Sequence, residues 1–334
     1  MAWDFILTSR TRQTCVMSDS TRVALLAGGF GGARMAHGFG LLGDQVQLTV
    51  IGNTADDLEL HGLHVSPDLD TVMYTLAGIA NEETGWGVHA ETWSAADMLR
   101  RYGQPTWFRL GDRDIATHIT RTARLAAGDS LTAVTADLCA ALGITARLLP
   151  MSDQPLRTKV RTADGWLDFQ DWFVRRGHVD DALELRFAGV ADARPTAAVL
   201  AAIGASDLVV VAPSNPFVSV APILALPGLL DYLAAASTPV VAVSPIVGER
   251  ALRGPAAAML RSLAELPATS AGIAAHYARA HPGLVDVLAI DESDAELGDA
   301  IRQSGIEPLV TRTVIAEAGD RRRLAAELIQ LVSG

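Results

Sequence analysis

Four glycines within five residues, directly after a short apolar run, constrain this chain more than any other feature. The run over residues 23–27 predicts a buried strand, and the spacing over residues 33–43 predicts a helix. The glycines between them are Gly28, Gly29, Gly31 and Gly32. Because glycine has no Cβ, backbone N–H groups at such a turn can approach a phosphate closely. The sequence therefore predicts a phosphate-binding turn, and a tight turn without a ligand is the alternative.

The glycine turn matches neither of the two common phosphate-binding fingerprints. Counted from Gly29, the dinucleotide pattern Gly-x-Gly-x-x-Gly/Ala has Arg34 at its last position. Counted from Gly28, the P-loop pattern has Ala33 at its second glycine, and no Lys-Ser/Thr pair follows. An NAD-dependent dehydrogenase is also disfavoured because no acidic residue stands at the expected spacing. The turn is therefore of a separate type.

Short apolar strands alternate with helices in both halves of the chain. Strands are predicted over residues 48–51, 207–212 and 240–243, and helices over residues 197–205 and 222–235. This alternation predicts an α/β fold with a Rossmann-like, mostly parallel sheet and helices on both of its faces. Ligands of such sheets bind at the carboxyl ends of the strands, where the glycine turn is expected.

The domain organisation is inferred from a change in pattern along the chain. Residues 85–189 are less regular, and five of the six tryptophans lie there: Trp86, Trp93, Trp107, Trp166 and Trp172. We interpret residues 23–334 as a single α/β domain in which residues 85–189 form an inserted, mainly helical subdomain. Residues 1–22 are predicted to be a disordered leader, with Met17 as an alternative start.

Composition narrows the class of partner. The formal net charge of −11 argues against broad binding of nucleic acid or of an anionic membrane surface. No apolar run reaches the roughly 18 residues of a membrane span. Two cysteines, Cys15 and Cys139, indicate neither a disulfide framework nor a thiolate metal set. We expect a cytoplasmic protein that binds a small molecule and meets its phosphates with local donors or a metal.

Five carboxylates lie within fifteen residues after the second predicted strand, interrupted by His61 and His64. The carboxylates are Asp56, Asp57, Glu59, Asp68 and Asp70. Mg²⁺ prefers one or two carboxylates together with water and phosphate oxygens, so this cluster predicts a magnesium site. Helix capping on a solvated loop is the alternative, and for Asp68, at a predicted helix start, it is the favoured one. Zinc is disfavoured because no third ligand is suitably spaced.

Polar residues at three other turns are further candidates for binding or catalysis. Asp114 and His118 lie four residues apart on one face of a predicted helix, and Arg113 beside them can reach an anion. A capped helix with a polar pair is the alternative. The other candidates, which neighbour prolines in loops, are Ser152, Asp153, Ser214 and Asn215. The last two follow a buried strand, a position suited to contacting a base or a phosphate.

Ten stretches follow one another in the order of a known family, among them Ser-Pro-Asp-Leu-Asp-Thr from Ser66 and Leu-Gly-Asp-Arg-Asp-x-Ala-Thr-His from Leu110. The stretches are residues 27–34, 53–60, 66–76, 85–87, 110–118, 149–153, 169–170, 212–216, 222–228 and 243–247. Along nearly its whole length the chain thus resembles the 2-phospho-L-lactate transferase family (CofD, with the actinobacterial FbiA), which builds the deazaflavin coenzyme F-420.

The resemblance implies a transferase that moves a phospho-three-carbon-acid group to the terminal ribityl hydroxyl of Fo, a deazariboflavin, and releases GMP. The donor is expected to be a guanosine diphosphate conjugate (lactyl-, enolpyruvyl- or glyceryl-diphosphoguanosine), in which the transferred 2-phospho-L-lactate, phosphoenolpyruvate or 3-phosphoglycerate group is joined to GMP. Substitution at phosphorus depends mainly on positioning and charge neutralisation, for which the family uses Mg²⁺. A homodimer is implied as well. The alternative is a nucleotide-sugar-binding regulatory protein from a related family that shares the glycine turn.

The resemblance also assigns roles to residues of this chain. It implies that Asp56, Asp57 and Asp70 hold the metal and that Asp57, Asp70 and Asp114 act in catalysis. The residues expected to bind the nucleotide or another part of the substrates are Gly29, Gly31, Gly32, Arg34, Asn53, Arg113, His118, Ser152, Asp153, Ser214 and Asn215. We expect replacement of Asp57 or Asp70 by Ala to abolish turnover in a protein that still folds.

Overall fold

The computed structural model describes residues 20–251 and 254–332. The strands are β1 Thr21–Ala27, β2 Val46–Gly52, β3 Leu58–Leu60, β4 Leu63–Val65, β5 Arg147–Pro150, β6 Arg157–Thr162, β7 Gly165–Asp168, β8 Glu184–Ala188, β9 Leu208–Val211, β10 Val240–Val243, β11 Ile246–Val247, β12 Arg250–Ala251, β13 Val287–Asp291 and β14 Glu307–Thr311. The α-helices are α1 Gly29–Gly40, α2 Pro67–Leu76, α3 Ser94–Arg101, α4 Asp112–Ala126, α5 Leu131–Ala141, α6 Ala197–Ala205, α7 Ala221–Leu224, α8 Leu229–Ala236, α9 Ala256–Ala264, α10 Ser270–Ala280, α11 Gly298–Gln303 and α12 Ala318–Gln330.

Seven strands form one parallel sheet in the order β14-β13-β10-β9-β1-β2-β5. The chain builds β1, β2 and β5 towards one edge and then returns to build β9, β10, β13 and β14 towards the other. The strand order therefore reverses between β1 and β9, and ligands of doubly wound sheets bind at such a switch point. Gly28 follows β1, and Ser214 lies just beyond β9, so the glycine turn lies at this point. The predicted Rossmann-like fold is confirmed.

Helices cover both faces of the sheet, as predicted. On β1, Val23 and Leu25 belong to the core that includes side chains of α1, α2 and α12. Ala24 and Leu26 point the other way, into the core that includes side chains of α6, α8, α9 and α10. Because both faces of the central strands are buried, these strands are continuous apolar runs and not alternating ones.

The segment 85–189 differs from the predicted mainly helical insertion. It contains α3, α4 and α5, but β5 within it pairs with β2 and forms an edge of the main sheet. It also contributes a separate antiparallel sheet in the order β7-β6-β8. The sequence pattern does not reveal β5, because only two apolar residues stand between Arg147 and Pro150. The segment is therefore mixed in structure, and part of it completes the main sheet.

Three element boundaries also differ from the sequence prediction. Residues 1–19 of the predicted leader lie outside the described residues, whereas Thr21 and Arg22 belong to β1. Helix α1 begins at Gly29 and not at residue 33, so three of the four glycines lie in its first turn. The helix predicted over residues 222–235 is broken between α7 and α8, where Gly228 has a φ of 81° that favours glycine.

Among the described residues, no single helix is long and apolar enough to cross a membrane. Pro216–Leu224 and Leu229–Ala236 reach that length and composition only as a pair, and the two helices are bent by 81° relative to one another. Both contribute side chains, such as Leu224 and Leu233, to the core of the protein.

Candidate active site

The turn between β1 and α1 packs against two neighbouring loops. The N–H of Gly29, which has a φ of 61°, donates to Asp68 Oδ1 at 2.8 Å. A Cβ on Gly31 would lie 2.2 Å from the carbonyl oxygen of Pro213. Glycine is therefore required at position 31 because the backbone of α1 meets that of the loop after β9, and a carboxylate of the chain itself binds the N-terminus of α1.

Asn53, directly after β2, holds two carboxylates together. Its Nδ2 donates to Asp56 Oδ2 at 3.1 Å and to Asp68 Oδ2 at 2.9 Å. Burial, together with the neighbouring carboxylate of Asp68, raises the pKa of Asp56 well above its usual range. Burial also raises the pKa of Asp68 to about 6. Two buried carboxylates this close disfavour each other's charge, and a bound cation would relieve that repulsion.

Asp57 lies next to this pair and is fixed from one side. Its Oδ2 accepts a hydrogen bond from Ser66 Oγ at 2.9 Å and lies 3.0 Å from His64 Nε2. Its Oδ1 is buried and, among the residues that the structure describes, accepts no hydrogen bond within 3.5 Å; the same is true of Asp56 Oδ1, although the hydroxyl of Thr158 lies near the Asp56 carboxylate and acts to lower its pKa. Buried carboxylate oxygens are normally hydrogen-bonded, so these two fit the oxygen ligands of a divalent cation.

A second buried group joins α2 to α4. Ligand atoms of Asp70, Asp114 and His118 lie within 4.8 Å of one another, which is compatible with a divalent metal. Asp114 Oδ1 accepts a hydrogen bond from the hydroxyl of Tyr74 at 2.8 Å and lies 3.2 Å from His118 Nε2. The predicted common face of Asp114 and His118 on one helix is confirmed.

Arg121 already supplies a positive charge to this second group. Its guanidinium is buried and donates to both oxygens of Asp70. A metal at Asp70 would therefore compete with a buried arginine. The metal ligands predicted from the sequence, Asp56, Asp57 and Asp70, are thus divided between two groups of different charge.

A narrow pocket of about 10 Å³ lies beside the first turns of α1, and a wider cleft of about 530 Å³, lined by residues that include Glu82, His89 and Trp93, adjoins it. Phe30 and Arg34 of α1 line one side of it, and the loop containing Glu82 and Trp86 lines the other. The guanidinium carbon of Arg34 lies 4.1 Å from the centre of the Phe30 ring. Trp86 stays partly exposed and contacts the edge of Trp93, with ring centres 6.4 Å apart. An aromatic wall beside the glycine turn suits a flat ligand.

Ser214 and Asn215 hold the end of β9 in place. Ser214 Oγ donates to the carbonyl oxygen of Gly28 at 2.8 Å, which links β9 to β1. Asn215 Oδ1 accepts from the N–H of Phe217 at 2.9 Å, and its Nδ2 contacts Met259 Sδ at 3.3 Å. These polar groups already form hydrogen bonds within the protein, and their contact with a nucleotide stays a prediction.

Three further predicted binding residues lie in the segment 85–189. Arg113 is exposed and donates to the carbonyl oxygen of His89 at 3.3 Å. Asp153 is exposed and accepts from the backbone N–H and the hydroxyl of Thr132 at the start of α5, each at 2.8 Å. Ser152 is buried. Asp153 therefore caps a helix, and substrate contacts by these residues also stay predictions.

The sequence pattern missed two charged residues of the site and misassigned a third. Asp68 does cap a helix, as favoured, but the helix is α1 and not the helix α2 that Asp68 itself begins. Arg121 could have been found, since Asp114, His118 and Arg121 recur at i, i+4 and i+7 on one helix face. Glu82 carries no such signal.

Comparison with known proteins identifies the family. Residues 23–326 match the family 2-phospho-L-lactate transferase CofD. The phosphoenolpyruvate transferase of Streptomyces griseus subsp. griseus is 44% identical over 320 residues, which cover 93% of this chain and 99% of the relative. The phosphoenolpyruvate transferase of Mycobacterium avium is 43% identical over 300 residues, which cover 82% of this chain and 89% of the relative.

A solved structure agrees with the fold. The UPF0052 family protein of Bacillus halodurans aligns with a TM-score of 0.64 at 13% identity, over 94% of this chain and 100% of that one. At this identity the likeness concerns the fold alone. The sequence matches confirm the predicted enzyme class, a transferase of a phosphorylated three-carbon acid in coenzyme F-420 biosynthesis. The chain belongs to the 2-phospho-L-lactate transferase CofD family.

Proposed function

We propose that this transferase moves a phosphoenolpyruvate group from a guanosine diphosphate conjugate to the terminal ribityl hydroxyl of Fo and releases GMP. Phosphoenolpyruvate is favoured over phospholactate and phosphoglycerate because the relatives from Streptomyces griseus and Mycobacterium avium carry that name. The observation that carries the proposal is the pair of buried, donor-free oxygens on Asp56 and Asp57 near the N-terminus of α1. Attack of a hydroxyl on the diphosphate of the donor needs charge neutralisation at such a place.

Asp56 and Asp57 are the residues that we propose to hold Mg²⁺. Each has a buried oxygen available, and Asp68 shares the donor Asn53 with Asp56. Among the described residues, however, the group with three ligand atoms within 4.8 Å of one another is Asp70, Asp114 and His118. Asp70 is a weaker candidate, because Arg121 donates to both of its oxygens. When bound, Mg²⁺ supplies charge neutralisation of phosphate oxygens and polarises the phosphorus centre.

Proton removal from the acceptor hydroxyl is proposed for Asp57 or Asp114. His64 and Ser66 engage Oδ2 of Asp57, and its Oδ1 can serve either as a metal ligand or as the base, so Asp114 is the proposed base when Asp57 Oδ1 holds Mg²⁺. Asp114 is oriented by the hydroxyl of Tyr74. A carboxylate held in a fixed orientation can accept the proton as the new ester bond forms.

The flat deazaflavin ring of the acceptor is proposed to bind beside Trp86 and Trp93, in the wider cleft that adjoins the pocket of Phe30, because that pocket, at about 10 Å³, is too small to enclose a three-ring system. Aromatic side chains contact flat heterocycles over a large area at a small cost in conformational entropy. Arg34 beside the pocket can bind the polar edge of the ring. This placement uses Trp86, one of the tryptophans of the segment 85–189, whereas Trp172 is a core residue.

We further propose a cytoplasmic homodimer. Cys139 is a free and buried thiol, which agrees with a reducing compartment. The homodimer is supported by the resemblance to the family, and light scattering of the purified protein at several concentrations tests it. A monomer at all concentrations would contradict this part of the proposal.

A competition reaction tests the proposed transfer. The purified protein is mixed with Mg²⁺, Fo and equal amounts of the lactyl, enolpyruvyl and glyceryl diphosphoguanosine donors, and the products are read by mass spectrometry. We expect GMP and a deazaflavin that carries the enolpyruvyl phosphodiester. Preferred transfer of another acid would overturn the choice of group. No Fo-dependent release of GMP with any donor would overturn the transferase and favour a regulatory nucleotide-binding protein.

A further inference from the structure

A charged residue of the last helix lies behind the pocket of Phe30 and Trp86. Arg321, on α12, is 2% exposed. Its two terminal nitrogens donate to the two oxygens of Glu82 at 2.8 and 2.6 Å, and one of them also donates to the carbonyl oxygen of Ala316 at 2.7 Å. Glu82 lines the pocket, and its side chain is 57% exposed. A buried arginine thus binds a pocket residue bidentately, the strongest geometry for such a pair.

The backbone of α12 meets α1 at the same place. A Cβ on Gly38 would lie 2.3 Å from the carbonyl oxygen of Arg321, so the two helices can touch there only at glycine. Phe30 and Arg34 stand on the preceding turns of α1, and Arg34 lies 3.7 Å from Glu82. Arg321 therefore contacts α1, which carries Phe30 and Arg34 on one wall of the pocket, and it also binds Glu82, which belongs to the other wall.

The second wall, residues 80–88, is a short loop closed by its own backbone. Asn81 N donates to the carbonyl oxygen of Gly87 at 3.0 Å, and Gly85 N donates to that of Asn81 at 2.9 Å. Glu82 lies inside this closed loop and carries its ion pair with α12. The position of the loop relative to α1 is thus held by a pair of residues 239 positions apart.

We propose that Arg321 is a positioning residue: through Glu82 it fixes the loop 80–88 against Phe30 and Arg34, and so sets the affinity for the flat acceptor of the wider cleft that this loop also lines. This inference rests on the proposed function for the identity of the acceptor. An ion pair with a buried partner contributes little net stability compared with apolar packing, so its value lies in the geometry that it specifies. Arg321 itself does not line the pocket.

The test compares Arg321→Gln, Glu82→Gln, the double variant and Arg321→Lys with a control on the same helix. The control is Arg323→Gln, because Arg323 pairs with Glu327 and Thr311 away from the pocket. In Arg321→Gln we expect the KM for Fo to rise about tenfold, with kcat and the KM for the donor within about twofold of the parent. The double variant should match the single ones, since both remove one interaction.

Arg321→Lys should lie between the parent and Arg321→Gln, because an ammonium cannot bind both oxygens in the manner of a guanidinium. If Arg321→Gln does not fold, Glu82→Gln and Arg321→Lys carry the kinetic comparison, since Glu82 is largely exposed. A KM for Fo that equals that of Arg323→Gln would overturn the proposal, and so would additive effects of the two single changes.

Hydrogen exchange of the free protein separates this inference from the proposed function. Amides of residues 80–88 should exchange faster in Arg321→Gln than in the parent or in Arg323→Gln. Unchanged exchange in this loop would overturn the positioning role, whatever the activity. Faster exchange in a protein that shows no transfer with any donor would support the positioning role and leave the proposed reaction wrong.

Discussion

Both oxygens of Asp70 accept hydrogen bonds from the guanidinium of Arg121, and both side chains are buried. Removing one partner of a buried pair leaves the other charge unpaired, at a cost of about 3–5 kcal/mol. We therefore expect Asp70→Ala to lower the free energy of unfolding by about that amount in urea denaturation. The expectation from sequence is that Asp70→Ala abolishes turnover in a protein that still folds, and it includes no such loss of stability.

An exposed ion pair provides the control for Asp70. Arg302 donates to Asp299 at 2.9 Å, and both side chains are more than half exposed. Exposed pairs contribute little, so Asp299→Ala should change the free energy of unfolding by less than about 1 kcal/mol. If the losses at Asp70 and Asp299 were equal, the pairing of Asp70 with Arg121 would not explain the stability of the site.

Gly31→Ala should destabilise the protein although alanine favours helices. Its Cβ would meet the carbonyl oxygen of Pro213 at 2.2 Å, so α1 must move away from the end of β9. We expect a loss of about 2–3 kcal/mol, measured by thermal unfolding. The matched control is Gly319→Ala in the first turn of α12, where no atom lies within 4 Å of the new Cβ. That variant should be neutral or gain up to about 1 kcal/mol. Equal melting temperatures would contradict the close packing at Gly31.

The main strands could be predicted because each is a buried apolar run, as in residues 240–243, that a parallel sheet covers on both faces. Strand β5 could not be predicted, because the two leucines between Arg147 and Pro150 are too few to show the alternation or the apolar run that indicates a strand. The first residue of α1 could not be predicted either, since glycines disfavour a helix and those in its first turn are typical of a loop. These are the places where packing decides against local propensity.

The candidate site, too, could be predicted from the sequence only in part. Asp114 and His118 were predictable as a pair because four residues of helix separate them. Asp70 on α2 and Arg121 on α4 come into contact only in the folded protein. Arg321 and Glu82 likewise form an ion pair although 239 positions of the sequence separate them. One sequence carries no sign of such long-range pairing. The sequence showed the cluster of carboxylates, but it did not show that Asp56 and Asp68 both accept hydrogen bonds from the amide of Asn53.

The stability of the metal-free protein should depend on pH through Asp68. Burial raises the pKa of Asp68 from near 4 to about 6, so the folded state holds this proton more tightly than the unfolded chain. The contribution of Asp68 to stability is therefore largest below about pH 4 and is lost as the pH rises through about 6. Burial shifts the pKa of Asp56 in the same direction.

Asp68→Asn tests this dependence, because asparagine does not titrate. Measured in EDTA, the stability of the variant relative to the parent should rise by on the order of 2 kcal/mol between about pH 4 and pH 7. The comparison uses the change with pH, so the constant cost of altering the hydrogen bond with Asn53 cancels. A difference that is flat with pH, or that falls, would contradict the raised pKa of Asp68.

Magnesium should stabilise the parent protein, and Asp56→Asn and Asp57→Asn should each remove most of that effect. Free metal at a hundred times its Kd adds about 2.7 kcal/mol to the free energy of unfolding, which a shift in melting temperature reports. We expect both variants to bind Mg²⁺ at least about tenfold more weakly in calorimetry and to lose turnover, because each lacks one of the two buried anionic ligands.

The control is Asp137→Asn, because Asp137 is an exposed carboxylate that pairs with Arg124. This variant should respond to Mg²⁺ as the parent does. If Asp70→Asn weakens Mg²⁺ binding as much as Asp56→Asn, the metal belongs instead with Asp70, Asp114 and His118.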